Sequence, residues 1–258
     1  MKKNSMKYST HFQRMQRVVS VFIALLFGLS MYTSAGADSS GIGEEAQMKM
    51  TDVNNISLCV KEAGSGPDMY LIHGRGFSKE SIDPLFTYYQ DRYHVISYDV
   101  RGHGETIAPG EFTLDDLSDD LAALIGEYGS EKPIVIGFSM GSYIALKTAE
   151  RYPDLLSKMV LIGTRGGRTH SPFPTNDEVG RALESFDNIT DAQDVAIPAL
   201  VLTGEYDVIN PPEEGQIVAD VLPDSRYAVV PGAEHMAYND NLDFVVSQID
   251  AFLAEESE

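Results

Sequence analysis

Ile134-Val135-Ile136-Gly137-Phe138-Ser139-Met140-Gly141 passes from an apolar, strand-like run, through a serine bracketed by glycines, into a stretch of helical periodicity. A serine held between strand and helix by G-x-S-x-G sits on a turn so tight that side chains two positions away would collide. Glycine at 137 and 141 relieves that crowding. The turn lifts the hydroxyl above the sheet and points the start of the helix at it. Ser139 is therefore the candidate nucleophile.

The chain repeats the same alternation on both sides of this turn. Apolar runs bounded by turn residues occur at Met69-Tyr70-Leu71-Ile72, His94-Val95-Ile96-Ser97-Tyr98 and Lys158-Met159-Val160-Leu161-Ile162, then at Ala199-Leu200-Val201-Leu202 and Tyr227-Ala228-Val229-Val230. Short runs that are apolar on both faces are expected of parallel strands covered on both sides. Between them lie helical patterns. Thr113 with Asp116 reads as a capping box, and Leu114, Leu117, Leu121 and Ile125 share one helix face. Asp115, Asp119 and Asp120 fall largely outside that stripe and are expected on a solvated face rather than in a calcium site. The fold class is thus α/β: a doubly wound, mostly parallel sheet with helices on both faces. The opening strands near 48–62 lack an intervening helix and predict an antiparallel hairpin at one edge. Residues 164–197, rich in Gly, Pro and polar side chains, form an insertion over one end of the sheet, with a helix near Asp177 to Phe186.

In open parallel sheets, ligands bind beyond the carboxyl ends of the strands, so the residues after each strand carry the chemistry. A serine hydroxyl needs a base. Of six histidines, His11 lies in the leader, His94 opens a strand, His103 sits in a glycine-rich turn and His170 lies in the insertion. His73 is expected to hold its loop by hydrogen bonds. His235 follows the last strand and is the candidate base. The acid is expected after the strand between serine and histidine, in Thr203-Gly204-Glu205-Tyr206-Asp207. Asp207 is preferred to Glu205, because the turn needs a few residues before a side chain faces back. The order Ser139, Asp207, His235 suits a strand–turn–helix serine. The loop His73-Gly74-Arg75-Gly76 can supply a main-chain N–H at Arg75 that pairs with that of Met140 to hold an oxyanion.

From about residue 65 to 256 the sequence resembles the α/β-hydrolase superfamily. The resemblance is carried by His73-Gly74-Arg75-Gly76, by Asp99-Val100-Arg101-Gly102-His103-Gly104, by the serine turn and by the G-x-x-D and G-x-x-H loops. It implies the α/β-hydrolase fold, a Ser139–His235–Asp207 triad acting through an acyl-serine, no cofactor and no metal. It also implies a structural role for Arg101. The insertion is about half the length of the family's usual helical cap, which implies a more open site. Ester hydrolysis is the default chemistry. Lactone, thioester, amide and perhydrolase reactions use the same residues, and a slow ligand-sensing protein of this fold is the alternative from another class. Phe138, Met140 and Tyr206 hint at a small-molecule substrate with an apolar acyl group, the alternative for each being a place in the core.

The 258 residues carry a formal charge of −20. Five of the 19 basic residues fall before residue 38, where there is no acid, leaving 14 basic against 39 acidic residues and a charge of −25. Such a body repels nucleic acid and anionic lipid. The leader itself reads as an export signal: basic residues, an apolar run of about 15 residues too short to span a bilayer, then Ala35-Gly36-Ala37 as a small-x-small cleavage site. The expected organisation is a signal over 1–37, cleaved after Ala37, and one hydrolase domain over 38–258, secreted and with no stable membrane association. The alternative is an anchor left by an uncleaved leader. Cys59 is the only cysteine, so no internal disulfide forms, and its alternating setting predicts a packed strand residue rather than a reactive thiol.

Overall fold

Every apolar run read as a strand becomes a strand of one sheet in the computed structural model, which describes residues 46–167, 177–184 and 187–255. The expected signal over 1–37, His11 and His170 lie outside the described residues. The strands are β1 (Gln47–Val53), β2 (Ile56–Ala63), β3 (Asp68–Ile72), β4 (His94–Tyr98), β5 (Ile134–Phe138), β6 (Lys158–Ile162), β7 (Ala199–Gly204) and β8 (Ser225–Val230). Their order across the sheet is β1-β2-β4-β3-β5-β6-β7-β8. β1 and β2 form the predicted edge hairpin, closed by Asn54 and Asn55 at φ 44° and 63°, and β2 runs antiparallel to β4. The two left-handed residues match the twist of a tight hairpin. From β4 onward all neighbours are parallel.

Strand alternation sends successive side chains to opposite layers. On one face Ile72, Val135 and Val201 pack with Leu117 and Leu121 of α2 (Leu114–Tyr128), Ile144 of α3 (Met140–Arg151) and Val218. On the other, Leu71, Ile136 and Leu202 pack with Leu85 and Phe86 of α1 (Asp83–Tyr89) and with Val245 and Ile249 near the C-terminus. This is the α/β-hydrolase fold expected from the sequence. β8 departs from the two-sided pattern: as the outer strand it has one neighbour, and Val229 stays 36% exposed.

α2 starts at the expected capping box. Thr113 Oγ1 accepts from the N–H of Asp116, whose carboxylate accepts from the N–H of Thr113. One expectation for this helix is corrected. Asp120 is not solvated but 2% exposed, and its two oxygens accept a paired set of bonds from Arg101 Nε (2.8 Å) and Nη2 (2.7 Å). The position lies at the border of the Leu117–Leu121–Leu124 stripe, where the arriving guanidinium, with a further bond donated by Asn54 Nδ2 at 3.2 Å, makes a buried carboxylate tolerable. Arg101 is thereby explained as a brace between the turn after β4 and α2. Asp115 and Asp119 bond Arg151 nearer the surface.

In the insertion, α4 (Glu178–Ala182), with Asp177 as N-cap, forms only the first part of the helix expected near Asp177 to Phe186, and a second helix, α5 (Asn188–Ala192), was not anticipated. At five residues and polar in sequence, α5 has too little periodicity to read. Residues 168–176 and 185–186 of the insertion lie outside the described residues. The chain then continues through β7 into α6 (Pro212–Val221), and after β8 into α7 (Ala237–Asp240) and α8 (Leu242–Leu253). The winding reverses at β3, whose neighbours β4 and β5 follow it on opposite sides. The crevice beyond the ends of β3 and β5 is where such sheets bind ligands.

Candidate active site

Ser139 follows β5 and caps α3 with φ 51° and ψ −115°, a conformation an L-residue adopts only under constraint. The constraint is visible in its flanking glycines. A β-carbon on residue 137 would overlap the carbonyl of Gly141, and one on residue 141 would overlap the carbonyl of Ile72. Ser139 N–H donates to Ile162 O at 2.8 Å, and its own carbonyl accepts from both Ser142 N–H (2.9 Å) and Ser142 Oγ (2.6 Å). The serine is pinned on both sides of its strained torsions.

The three residues expected to form one array come together, although 28 and 96 positions separate His235 from Asp207 and Ser139. His235 Nε2 lies 3.0 Å from Ser139 Oγ, and His235 Nδ1 lies 2.7 Å from Asp207 Oδ2. A carboxylate only accepts, so the ring proton resides on Nδ1 and the lone pair of Nε2 faces the hydroxyl. Asp207 is 3% exposed, and its second oxygen, Oδ1, accepts from the N–H groups of Ile209 (2.8 Å) and Asn210 (2.9 Å). Three hydrogen bonds to its oxygens fix its rotamer. Glu205 faces elsewhere, accepting from Gly232 N–H at 2.8 Å.

The imidazole has two walls. The ring of Phe138 stands 5.0 Å away, centroid to centroid. Gly163, immediately after β6 and at φ 63°, is so close that a β-carbon there would lie 3.2 Å from His235 Cε1. Sequence reasoning missed Gly163, along with Asn210, whose amide donates to Gly163 O at 2.6 Å and to Tyr143 Oη at 3.1 Å. A glycine directly after a core strand, at the ligand-binding end, was the available signal for the first. Asn210 gave none.

The loop after β3 crosses beside the serine: a β-carbon on Gly74 would stand 3.3 Å from Ser139 Cβ. Arg75 follows Gly74 in this loop, while Met140 N–H opens α3, where first-turn amides have no partner within the helix. Arg75 Nη2 also bonds both oxygens of Asp177, at 2.9 and 2.7 Å, joining this loop to the insertion. His73 is structural as expected. Val100 N–H donates to its Nε2 (3.0 Å), so Nδ1 carries the proton and donates to Gly74 O (2.8 Å). Burial pushes its imidazole down to about 4. His94 bonds Asp68 and His103 packs edge-on against His73, so neither meets the serine. Cys59 is buried in β2, and burial pushes its thiol up. Phe138 and Met140 are core side chains, 0% and 1% exposed, and only Tyr206 of the three apolar candidates faces solvent.

The family described as alpha/beta hydrolase fold matches residues 67–194, and that described as TAP-like protein matches residues 179–257. This chain belongs to the α/β-hydrolase superfamily. A putative non-heme bromoperoxidase, BpoC, of Mycobacterium tuberculosis is 29% identical over 241 residues, covering 71% of this chain and 92% of that protein. A 2-(acetamidomethylene)succinate hydrolase of Mesorhizobium japonicum is 35% identical over 115 residues, 44% of this chain and 41% of its own length. Among solved structures, a thermophilic esterase from Thermogutta terrifontis superposes with a TM-score of 0.68 at 24% identity, over 81% of this chain and 98% of the esterase. That last likeness shows the fold. Within an α/β-hydrolase, the array lies at the switch point of the sheet.

Proposed function

We propose that this protein is an exported serine hydrolase that cleaves a carboxylic ester of a small molecule through an acyl-serine intermediate. The observation that carries the reading is the unbroken chain of Ser139 Oγ, His235 and Asp207, at 3.0 and 2.7 Å, on a strained strand–helix turn. His235 Nε2 takes the hydroxyl proton as Oγ attacks the ester carbonyl. The resulting alkoxide oxygen is held by the main-chain N–H groups of Arg75 and Met140. The imidazolium then gives its proton to the leaving alkoxy oxygen, and the alcohol departs. Water, deprotonated by the same nitrogen, attacks the acyl-serine; as the second tetrahedral intermediate collapses, the imidazolium returns that proton to Oγ and the acid is released. Asp207 keeps the ring in the productive tautomer and stabilises its cation. Relatives named as hydrolases support the class of chemistry.

The apolar acyl group is a finer part of the proposal. Its support is the exposure of Phe77, Tyr206 and Val208, on the loops following β3 and β7. Export rests on the leader over 1–37, and the N-terminal sequence of secreted protein, beginning at Asp38, tests it.

A fluorophosphonate probe followed by peptide mass spectrometry tests the nucleophile. Modification of Ser139, with loss of labelling and of p-nitrophenyl ester hydrolysis in Ser139→Ala, is the expected result. A Ser139→Ala protein that hydrolyses these esters as fast as wild type overturns the assignment.

A second reading, perhydrolase chemistry, is favoured by the 29% identity to the putative bromoperoxidase. Hydrogen peroxide would replace water in the second attack and leave as a peracid. Peracid formation from a short ester and peroxide, measured beside simple hydrolysis, separates the two.

A further inference from the structure

The loop after β7 is exposed at Val208, 88%, and almost closed two residues later at Asn210, 2%. A polar side chain buried in a loop is costly unless its hydrogen bonds are made. Asn210 makes them to groups remote in the chain. Its Nδ2 donates to Gly163 O at 2.6 Å and to Tyr143 Oη at 3.1 Å, 47 and 67 positions away. A carbonyl can only accept, so the nitrogen of the amide must be the atom facing Gly163. The main-chain N–H of the same residue donates to Asp207 Oδ1 at 2.9 Å.

Two of these three acceptors, Asp207 and Gly163, bear on one ring. Asp207 Oδ2 holds His235 Nδ1 at 2.7 Å, and Gly163 stands where a β-carbon would lie 3.2 Å from Cε1 and 3.3 Å from Nδ1. Gly163 is a left-handed glycine that anchors to β7 through its N–H, donated to Leu202 O at 2.8 Å. Glycine has more backbone conformations open to it than any other residue, so its carbonyl stays fixed only if something outside holds it. Asn210 Nδ2 is a group that holds it. A tilt of the peptide after Gly163 would open space on one side of the imidazole, with Phe138 still pressing from the other.

We propose that Asn210 is a positioning residue for His235, holding Asp207 through its main chain and Gly163 through its amide so that the imidazole stays aligned between Asp207 and Ser139. The inference rests on the triad reading given above. Asn210 reaches no reacting atom; it acts through the two groups that orient the base. The main-chain bond survives substitution, so a variant isolates the amide's share.

The test is Asn210→Ala, measured by steady-state kinetics on p-nitrophenyl acetate and by the low-field proton resonance of the His235 Nδ1–H. The expected result is a kcat lowered by roughly 10- to 100-fold, a KM changed by less than about threefold, and a low-field resonance that broadens or moves upfield. A role confined to stability would lower the melting temperature while leaving kcat and the resonance of the folded protein in place, and that result overturns the proposal. Should the alanine variant not fold, Asn210→Asp keeps the size and removes the donor facing Gly163, and the same signature is expected of it. Wild-type protein that neither turns over esters nor reacts with a fluorophosphonate would refute the triad reading itself. The resonance, compared between wild type and variant, would still decide whether Asn210 orients the ring.

Discussion

Glu205 and Asp207 stand two residues apart on one turn, yet their carboxylates are committed to different points of the loop after β8: Asp207 Oδ2 to His235 Nδ1, Glu205 Oε2 to the N–H of Gly232. The turn after β7 sends one side chain into the sheet's crevice and leaves the other at the surface. Asp207→Asn keeps the shape but offers His235 an amide, which favours the wrong tautomer. A fall in kcat on the order of 10⁴-fold is expected. Glu205→Gln removes only a surface bond, and its kcat is expected within about threefold of wild type. Steady-state kinetics on one ester checks both; equal losses would mean the acid has been misassigned.

Gly163→Ala tests the wall beside the base. Alanine at φ 63° costs about 1–2 kcal/mol of backbone strain, and its methyl would crowd the imidazole at 3.2 Å. The ring is expected to shift by a fraction of an ångström, away from Ser139, and kcat to fall roughly 100-fold. Chemical denaturation is expected to show a loss of only about 1–2 kcal/mol. Activity that declines no more than stability accounts for would show that the ring has room to spare.

What could be read before the structure was known was what is local. The strands, the serine turn and the capping box each declare themselves within a few residues, because strand alternation, a forced left-handed torsion and an N-cap are short-range physics. The choice of Asp207 over Glu205 was legible for the same reason, since turn length decides which side chain turns back. Asp120 was misjudged because its burial depends on Arg101, 19 positions earlier on another loop. Asn210 was invisible because its partners, Gly163 and Tyr143, meet it only after the sheet has assembled. Buried polar residues of this kind owe their place to distant partners, which the pattern of neighbours along the chain does not announce.

The Arg101–Asp120 pair should therefore behave as a structural brace. Asp120→Ala leaves a guanidinium whose side chain is 11% exposed without its carboxylate, and stability is expected to drop by about 3–5 kcal/mol. Replacing both partners together, as Arg101→Met with Asp120→Leu, is expected to recover most of the loss, because the desolvation cost disappears with the charges. Urea denaturation of the single and double variants measures this. Where the single variant folds, its kcat on an ester should stay within a fewfold of wild type, since neither side chain reaches Ser139.

His73 predicts an acid sensitivity of the fold. It is fully buried and uses both ring nitrogens as a neutral imidazole, and burial pushes it down to about 4 from an unfolded value near 6.5. Between those two values the unfolded chain takes up a proton that the folded chain refuses. Stability is thus expected to decline as pH falls from about 6.5 to about 4, and His73 makes no further contribution below that. The displacement corresponds to at most about 3 kcal/mol, and His103, whose imidazole burial also lowers, adds in the same direction. Carboxylates held below their usual range, such as Asp116 and Asp177, lose their contribution at lower pH, so the two windows are separable. In His73→Gln, which can still accept from Val100 N–H, unfolding free energies measured by urea titration are expected to vary less across pH 4 to 6.5 than in wild type. An unchanged slope in that interval would mean that folded His73 takes up a second ring proton as readily as the unfolded chain does, and that the hydrogen bonds assigned to it are wrong.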